Sequence, residues 1–269
     1  MEIVVGADGS RSAENAVSWA VGAAAAVGAE LVVVSVSPPG SDVGETERSL
    51  LGDWSRSALD AAVPFRTEVV VGDPRLQLLE FATKAEPALV VVGAGHERWF
   101  PALHLGSTSH YLAHHLDRPI AIVPRGHDSF NAAHVVLGMD GSPGSTAASR
   151  WARWMASAVG GDITAVYAWQ RSAARMHNVD KGVDSAAEAD LACRAWTEEL
   201  RVAGVLADIR AVEAEPVDAL TDAVTDVGAR MVVLGTRGSG GFMHLQLGSV
   251  SLRSLQAAQA PIVLVPPAG

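Results

Sequence analysis

Cysteine is almost missing from this chain. One thiol in 269 residues, Cys193, leaves no partner for an intramolecular disulfide and fits a reducing compartment. It falls in a stretch of helical spacing and reads as a packing residue rather than a nucleophile. Lysine is nearly as scarce: Lys84 and Lys181 are two among 20 basic residues. Neither follows a glycine loop, which excludes a Walker-type lysine, so any phosphate site must use amides, hydroxyls and arginine. Positive charge is outweighed, 20 basic against 30 acidic residues, and the formal net charge of −10 argues against nucleic-acid or anionic-membrane partners. No apolar run is long enough to span a bilayer; the strongest, Trp19 to Ala29, stops at Glu30. The chain passes from Met1-Glu2 straight into a strand pattern, with no basic region and apolar core. We therefore expect no signal peptide and a cytoplasmic protein.

What is present is ample core material. Hydrophobic residues make up 49% and charged residues 19%, the balance of a globular protein of one large or two moderate domains. The main organising signal is an internal repeat. Ile3-Val-Val-Gly-Ala-Asp8-Gly-Ser10 recurs as Val135-Val-Leu-Gly-Met-Asp140-Gly-Ser142, and Leu89-Val-Val-Val-Gly93 as Met231-Val-Val-Leu-Gly235. Leu105-Gly106-Ser107 recurs as Leu247-Gly248-Ser249, and Pro119 to Pro124 as Pro261 to Pro266. The offset grows from 132 to 142, which puts about ten extra residues into the second copy around Gln170 to Asp184. The expected boundaries are a first domain at 1–125, a linker at 126–133 that reads as short and polar, and a second domain at 134–269.

Each copy alternates short Val- and Ile-rich runs with segments of helical spacing. The runs show little alternation, as in strands buried on both faces. Strand-helix alternation implies right-handed crossovers, hence two α/β domains, each a doubly wound five-stranded parallel sheet. Copy one gives helices at 12–27, 45–62, 75–85 and 107–116; copy two gives 144–159, 185–203, 217–227 and 249–259. Ligands of such sheets bind at the carboxyl ends of the strands. Met231 to Ser251 fits that place: an apolar strand, a glycine-rich loop from Gly235, and a helix opening at Gly248-Ser249. Glycines allow backbone amides to turn toward an anion, and the first-turn amides of a helix are unpaired donors at the positive end of its dipole. The plain alternative is a helix capped by Ser249 after an ordinary loop.

The spacing Gly235-x2-Gly238-x9-Gly248-Ser249, the early Asp after the first strand, and the final strand ending in Pro resemble the universal stress protein family, in a tandem two-domain form. The resemblance implies a Rossmann-like fold related to the adenine nucleotide alpha hydrolases, and a site for ATP, with magnesium arriving on the nucleotide. It assigns Asp140 and the backbone at Tyr167 and Ala168 to adenine and ribose. Gly235, Arg237 and Gly238 would follow the phosphates, and Gly248, Ser249, Val250 and Ser251 would meet them at the helix start. Copy one offers Asp8, Val36, Gly93, Gly106, Ser107, Thr108 and Ser109. It departs from the motif at His96, which stands where the second glycine is expected and lacks glycine's access to positive φ. Either Gly95 and His96 still form a workable loop, with His96 or Arg98 as an added donor, or the first half is structural. The second site is expected to be the stronger. Family members pair their last edge strand with that of another domain, which implies an intramolecular pseudo-dimer and leaves a homo-oligomer open.

Individual residues have competing readings. Asp8 and Asp140 can be turn residues or ligand contacts; Ser10 and Ser142 are equally good helix caps, which favours ligand contact. His104, His110, His114 and His115 invite a metal, but no carboxylate or thiol completes a tetrahedral set, and a solvated face is the better reading. The tryptophans fall mostly at core spacing, with Trp99 and Trp169 at the expected rims, where Trp169 could either stack on adenine or simply pack in the loop. The leading function is a non-catalytic, ATP-binding stress or regulatory protein. The alternatives are a slow ATP hydrolase or phosphotransferase using Arg237, Ser239, His244 or Ser249, and a nucleotide-free scaffold. The loop after the first strand is not the pyrophosphate loop of synthetases, which excludes that chemistry.

Overall fold

A computed structural model describes residues 1–40, 58, 60–95, 105–170, 185–238 and 247–267 of the chain. Helix 45–62, Trp54, His96, Arg98, Trp99, His104, Ser239 and His244 lie wholly or mostly outside the described residues. The chain forms an α/β fold, and its contacts divide it into two compact units. Met1–Asn131 and Ser254–Pro266 make up the first, and Ala132–Arg253 the bulk of the second.

In the first unit the elements run β1 (Glu2–Gly6), α1 (Arg11–Val27), β2 (Glu30–Ser37), β3 (Phe65–Val71), α2 (Pro74–Ala85), β4 (Leu89–Gly93), α3 (Ser107–His115) and β5 (Ile120–Val123). The sheet order is β3-β2-β1-β4-β5-β10, where β10 is Ile262–Val265. β1 through β5 pair in parallel, with Val4 opposite Val32 on one side and Val90 on the other. β10 runs antiparallel to β5, placing Val263 opposite Ala121 and covering the edge of β5. The reversal at β1 and β4 opens a crevice at their carboxyl ends.

The second unit repeats the plan with β6 (His134–Gly138), α4 (Pro143–Val159), β7 (Asp162–Trp169), α5 (Ala186–Trp196), α6 (Glu198–Val202), β8 (Leu206–Glu213), α7 (Pro216–Val227), β9 (Met231–Gly235) and α8 (Ser249–Gln256). Its strand order is β9-β6-β7-β8, all parallel.

The central strands are dry. Ile3, Val4, Leu31, Val90, Val135, Ile163 and Met231 are fully buried, as expected for sheets covered on both faces. One helix expected at 185–203 is two. The chain breaks at Thr197 (φ −103°, ψ 6°), whose hydroxyl donates to the Cys193 carbonyl. A hydroxyl bonded back to the helix competes with the next helical bond, and the helical pattern in the sequence does not reveal it. The connection at 126–133 is less polar than it reads. Phe130 meets the fully buried Trp19 edge-to-face at 5.0 Å, an anchor on the first unit.

Helix ends are specified alike in both units. Ser10 and Ser142 accept from the backbone at Ala13 and Ser145, and Gly28 and Gly160 close the same helices in the left-handed region. The exception is the end of α2: Glu86 adopts φ 48° where the matching helix α7 ends on Gly228. Replacing Glu86 with Gly removes that strain at the cost of a surface pair with Arg118. We expect Glu86→Gly to raise stability by about 0.5–1 kcal/mol, read as a higher urea midpoint with an unchanged slope.

Candidate functional site

Hydrophobic strand ends set the stage in each unit, and the loops leaving them carry the polar groups. In the first unit the β1–α1 loop, the end of β2, the turn after β4, and the first turns of α2 and α3 enclose a cavity of about 560 Å³. Its floor is apolar, from Val34, Val36, Leu78 and Val92. Gly93 lies directly on the backbone of Ser12, so the end of β4 rests on the first turn of α1. The Gly95 amide donates to Ser12 Oγ at 3.0 Å. Gly95 has φ +97°, and a Cβ there would meet Gly106 Cα at 2.6 Å, so this turn admits no side chain. The Gly106 amide completes the closure by donating to the Ala94 carbonyl at 2.6 Å.

That closure delivers the start of α3 to the cavity. Its cap, Gly106, has no side chain to satisfy the first-turn amides, and Ser107 and Thr108 line the wall beside them. A helix start of this kind is an anion cradle. All seven first-copy residues singled out from the sequence (Asp8, Val36, Gly93, Gly106, Ser107, Thr108, Ser109) line this one cavity. Their parts differ. Asp8 Oδ1 accepts from the Ser10 amide at 3.0 Å and shapes the turn, while the buried Ser109 hydroxyl donates to the Gly93 carbonyl and ties α3 to the strand end.

The second unit builds the same junction with different contacts. A Cβ at Gly235 would meet the backbone of Gly144 at 2.5 Å, so β9 ends against the first turn of α4. Ser142 Oγ donates to the Arg237 carbonyl at 3.3 Å, and the Gly248 amide to the Thr236 carbonyl at 2.7 Å. Ser251 mirrors Ser109, its hydroxyl donating to the Gly235 carbonyl at 2.8 Å. Gly238 stands against the Asp140 carboxylate, in space a Cβ would fill. Its φ is not in the left-handed region, so a Cβ here would displace the Asp140 carboxylate rather than strain the backbone. Arg237 and Ser249 are exposed, and Ala168 and Val250 half-buried.

Trp169, 5% exposed, is buried, as is Ser37 at the matching end of β2, which favours packing over stacking for this indole. The indole at this loop is Trp196, which lies over Gly141 and meets Tyr167 edge-to-face at 5.0 Å. Burial, the Asp140 charge and nearby Cys193 push the Tyr167 phenol up, which keeps it neutral. Burial likewise pushes the Cys193 thiol up to about 12, so it is inert packing.

Among the lining residues of the first cavity not singled out as ligand contacts, those with polar side chains on α2 and α3 are Arg75, His110 and Tyr111. Their counterparts in the second copy are Val217, Leu252 and Arg253. Divergence between copies at helix starts was the available signal. Arg75 Nη2 bonds Asp73 Oδ2 at 2.6 Å and its guanidinium sits 5.9 Å from the Tyr111 ring centre. In the second unit Arg253 reaches Glu215 at 2.6 Å, so the same acid position is neutralised from the other helix. Among the described residues, no group of three or more His, Cys, Asp or Glu side chains is placed to hold a metal, and no helix is long and apolar enough to cross a membrane.

Comparison with known proteins gives a consistent picture. The model of the universal stress protein family matches residues 1–124 and again 132–266. A universal stress protein of Mycolicibacterium smegmatis (strain ATCC 700084 / mc(2)155) is 29% identical over 300 residues, covering 98% of this chain and 97% of the relative. One from Mycobacterium tuberculosis (strain ATCC 25618 / H37Rv) is 30% identical over 285 residues, covering 97% and 96%. The crystal structure of a universal stress protein from Archaeoglobus fulgidus DSM 4304 superposes with a TM-score of 0.77 and 19% identity over 99% of this chain and 98% of that one, a likeness of fold.

The Arg75 bonds hold the Asp73 carboxyl down at about 2, with its bonds to the Arg75 amide adding to the effect. A carboxylate lowered on folding stabilises above its unfolded pKa, and that contribution is lost as pH falls through the folded value. Carbon-13 NMR should therefore find the Asp73 midpoint near 2, and Arg75→Gln should move it up toward the ordinary carboxylate range. An unchanged midpoint in that variant would exclude Arg75 as the cause.

Proposed function

Because the chain belongs to the universal stress protein family over both of its halves, we propose that it is an ATP-binding regulatory protein, with one nucleotide site in each of the halves 1–125 and 134–269. The observation that carries the reading is the uncapped start of α3, opening into a cavity lined by every residue that the first copy's motif assigns. A volume of about 560 Å³ is in the range of small-ligand pockets, and its apolar floor with a polar, glycine-walled end suits a base at one side and phosphates at the other.

The residues fit ATP without a lysine. Backbone amides at Gly106, Ser107 and Thr108, and at Gly248, Ser249 and Val250, would take phosphate oxygens; Asp8 and Asp140 would take ribose hydroxyls. The closeness of Gly238 to Asp140 supports a phosphate loop running beside a sugar subsite in the second half. Asp8 is the one carboxylate lining the first cavity among the described residues, so magnesium would be held mainly by the nucleotide's own oxygens. The proposed output is binding rather than turnover: occupancy biases association with partners in a stress response.

The test exploits helix polarity. Ser107 and Ser249 are exposed first-turn residues, and Glu at such a position favours the helix while repelling phosphate. Calorimetry with ATP should show two sites; Ser107→Glu and Ser249→Glu should each weaken one by about tenfold or more while thermal stability holds or rises. Absence of any adenine nucleotide released from the purified protein, together with no ATP heat at millimolar concentration, would overturn the proposal.

A further inference from the structure

The two halves share a cradle but differ in the charge placed beside it. In the first, His110 lines the cavity one turn after Ser107; in the second, that position is Leu252. The cavity's other cation, Arg75, is committed to Asp73 through Nε at 3.0 Å and Nη2 at 2.6 Å, so its charge is already balanced. Tyr111, also in the wall, stacks on His115 at 4.1 Å beneath the Arg75 guanidinium.

We propose that His110 is a specificity-determining residue of the first site, which binds a polyphosphate ligand in concert with one proton taken up by its imidazole. This rests on the nucleotide-binding reading and adds to it a difference between the sites. The titratable groups that share the cavity wall with His110 are Asp8 from the β1–α1 loop, Arg75 from α2 and Tyr111 from its own helix, where His114 is its ring neighbour. His114 stands 4.5 Å away, centre to centre. Its buried Nε2 has no hydrogen-bond partner, and burial first, then His110 and His115, lowers its affinity for a proton. Of the two rings, His110 is the one that lines the cavity. An imidazolium at this place meets a polyanion held by neutral amides, where nothing else in the described wall supplies unbalanced positive charge.

The sign follows from linkage. Ligand binding favours the protonated ring, so affinity rises as pH falls through the histidine range and flattens on either side. The second site, with Leu252, has no such group.

The experiment measures ATP and inorganic tripolyphosphate binding between about pH 8 and pH 5.5 in a Ser249→Glu background, which isolates the first site. Affinity for both ligands should tighten about tenfold toward low pH, consistent with one coupled proton. His110→Leu, the residue of the second copy, should abolish the slope. In parallel, the His110 ring followed by NMR should titrate higher with tripolyphosphate bound. Binding that shows no slope, or a slope retained in His110→Leu, overturns this inference and leaves the nucleotide reading intact. Failure of either ligand to bind at any pH overturns both.

Discussion

Everything at the two sites depends on how closely a strand end approaches a helix start. Gly93 against Ser12, and Gly235 against Gly144, bring main chain onto main chain with no side chain between. That contact fixes the direction in which the following loop leaves the sheet. The serines on the next helix, Ser109 and Ser251, complete the knot by bonding the same strand-end carbonyls. A buried carbonyl without a partner costs more than the bond itself gains, so these hydroxyls hold the helix start in register. The cradle is thus a consequence of packing, and its polar atoms are placed by backbone rather than by flexible side chains.

Around this shared frame the halves have diverged in their walls. One half pairs Asp73 with Arg75 on its own helix; the other pairs Glu215 with Arg253 across to the next helix. Tyr167 and Trp196 flank the β6–α4 turn, while Ser35 holds the position of Tyr167 in the first copy. Duplication followed by such exchanges keeps the fold and changes the chemistry each pocket presents.

The repeat made most of the architecture legible. Buried parallel strands write themselves as Val-rich runs, and Ser10, Ser142, Gly28 and Gly160 mark helix ends through chemistry that is local in sequence. The alternation of runs and helical segments carried the α/β class for the same reason. What was hidden depends on contacts distant in sequence. The break at Thr197 follows from one hydroxyl's choice of acceptor, and the burial of Trp169 from its place at the end of β7. Glycine at 238 owes nothing to a positive φ; it lies beside the Asp140 carboxylate, nearly a hundred residues away, a contact that local spacing does not reveal. Arg75 and Tyr111 escaped notice, and His110 read as part of a solvated face, because periodicity does not tell which helix face borders a cavity.

The strand that shields β5 has a consequence for how the molecule is made. β10 is made long after β5, following β6 to α8 of the second unit, yet its contacts group it with the first unit. Until β10 has left the ribosome, β5 keeps an unpaired row of amides and carbonyls, Ile120 to Val123. An apolar edge in that state is open to pairing with neighbouring nascent chains on a polysome. Completion of the first-made lobe therefore waits on a strand encoded beyond the elements of the second.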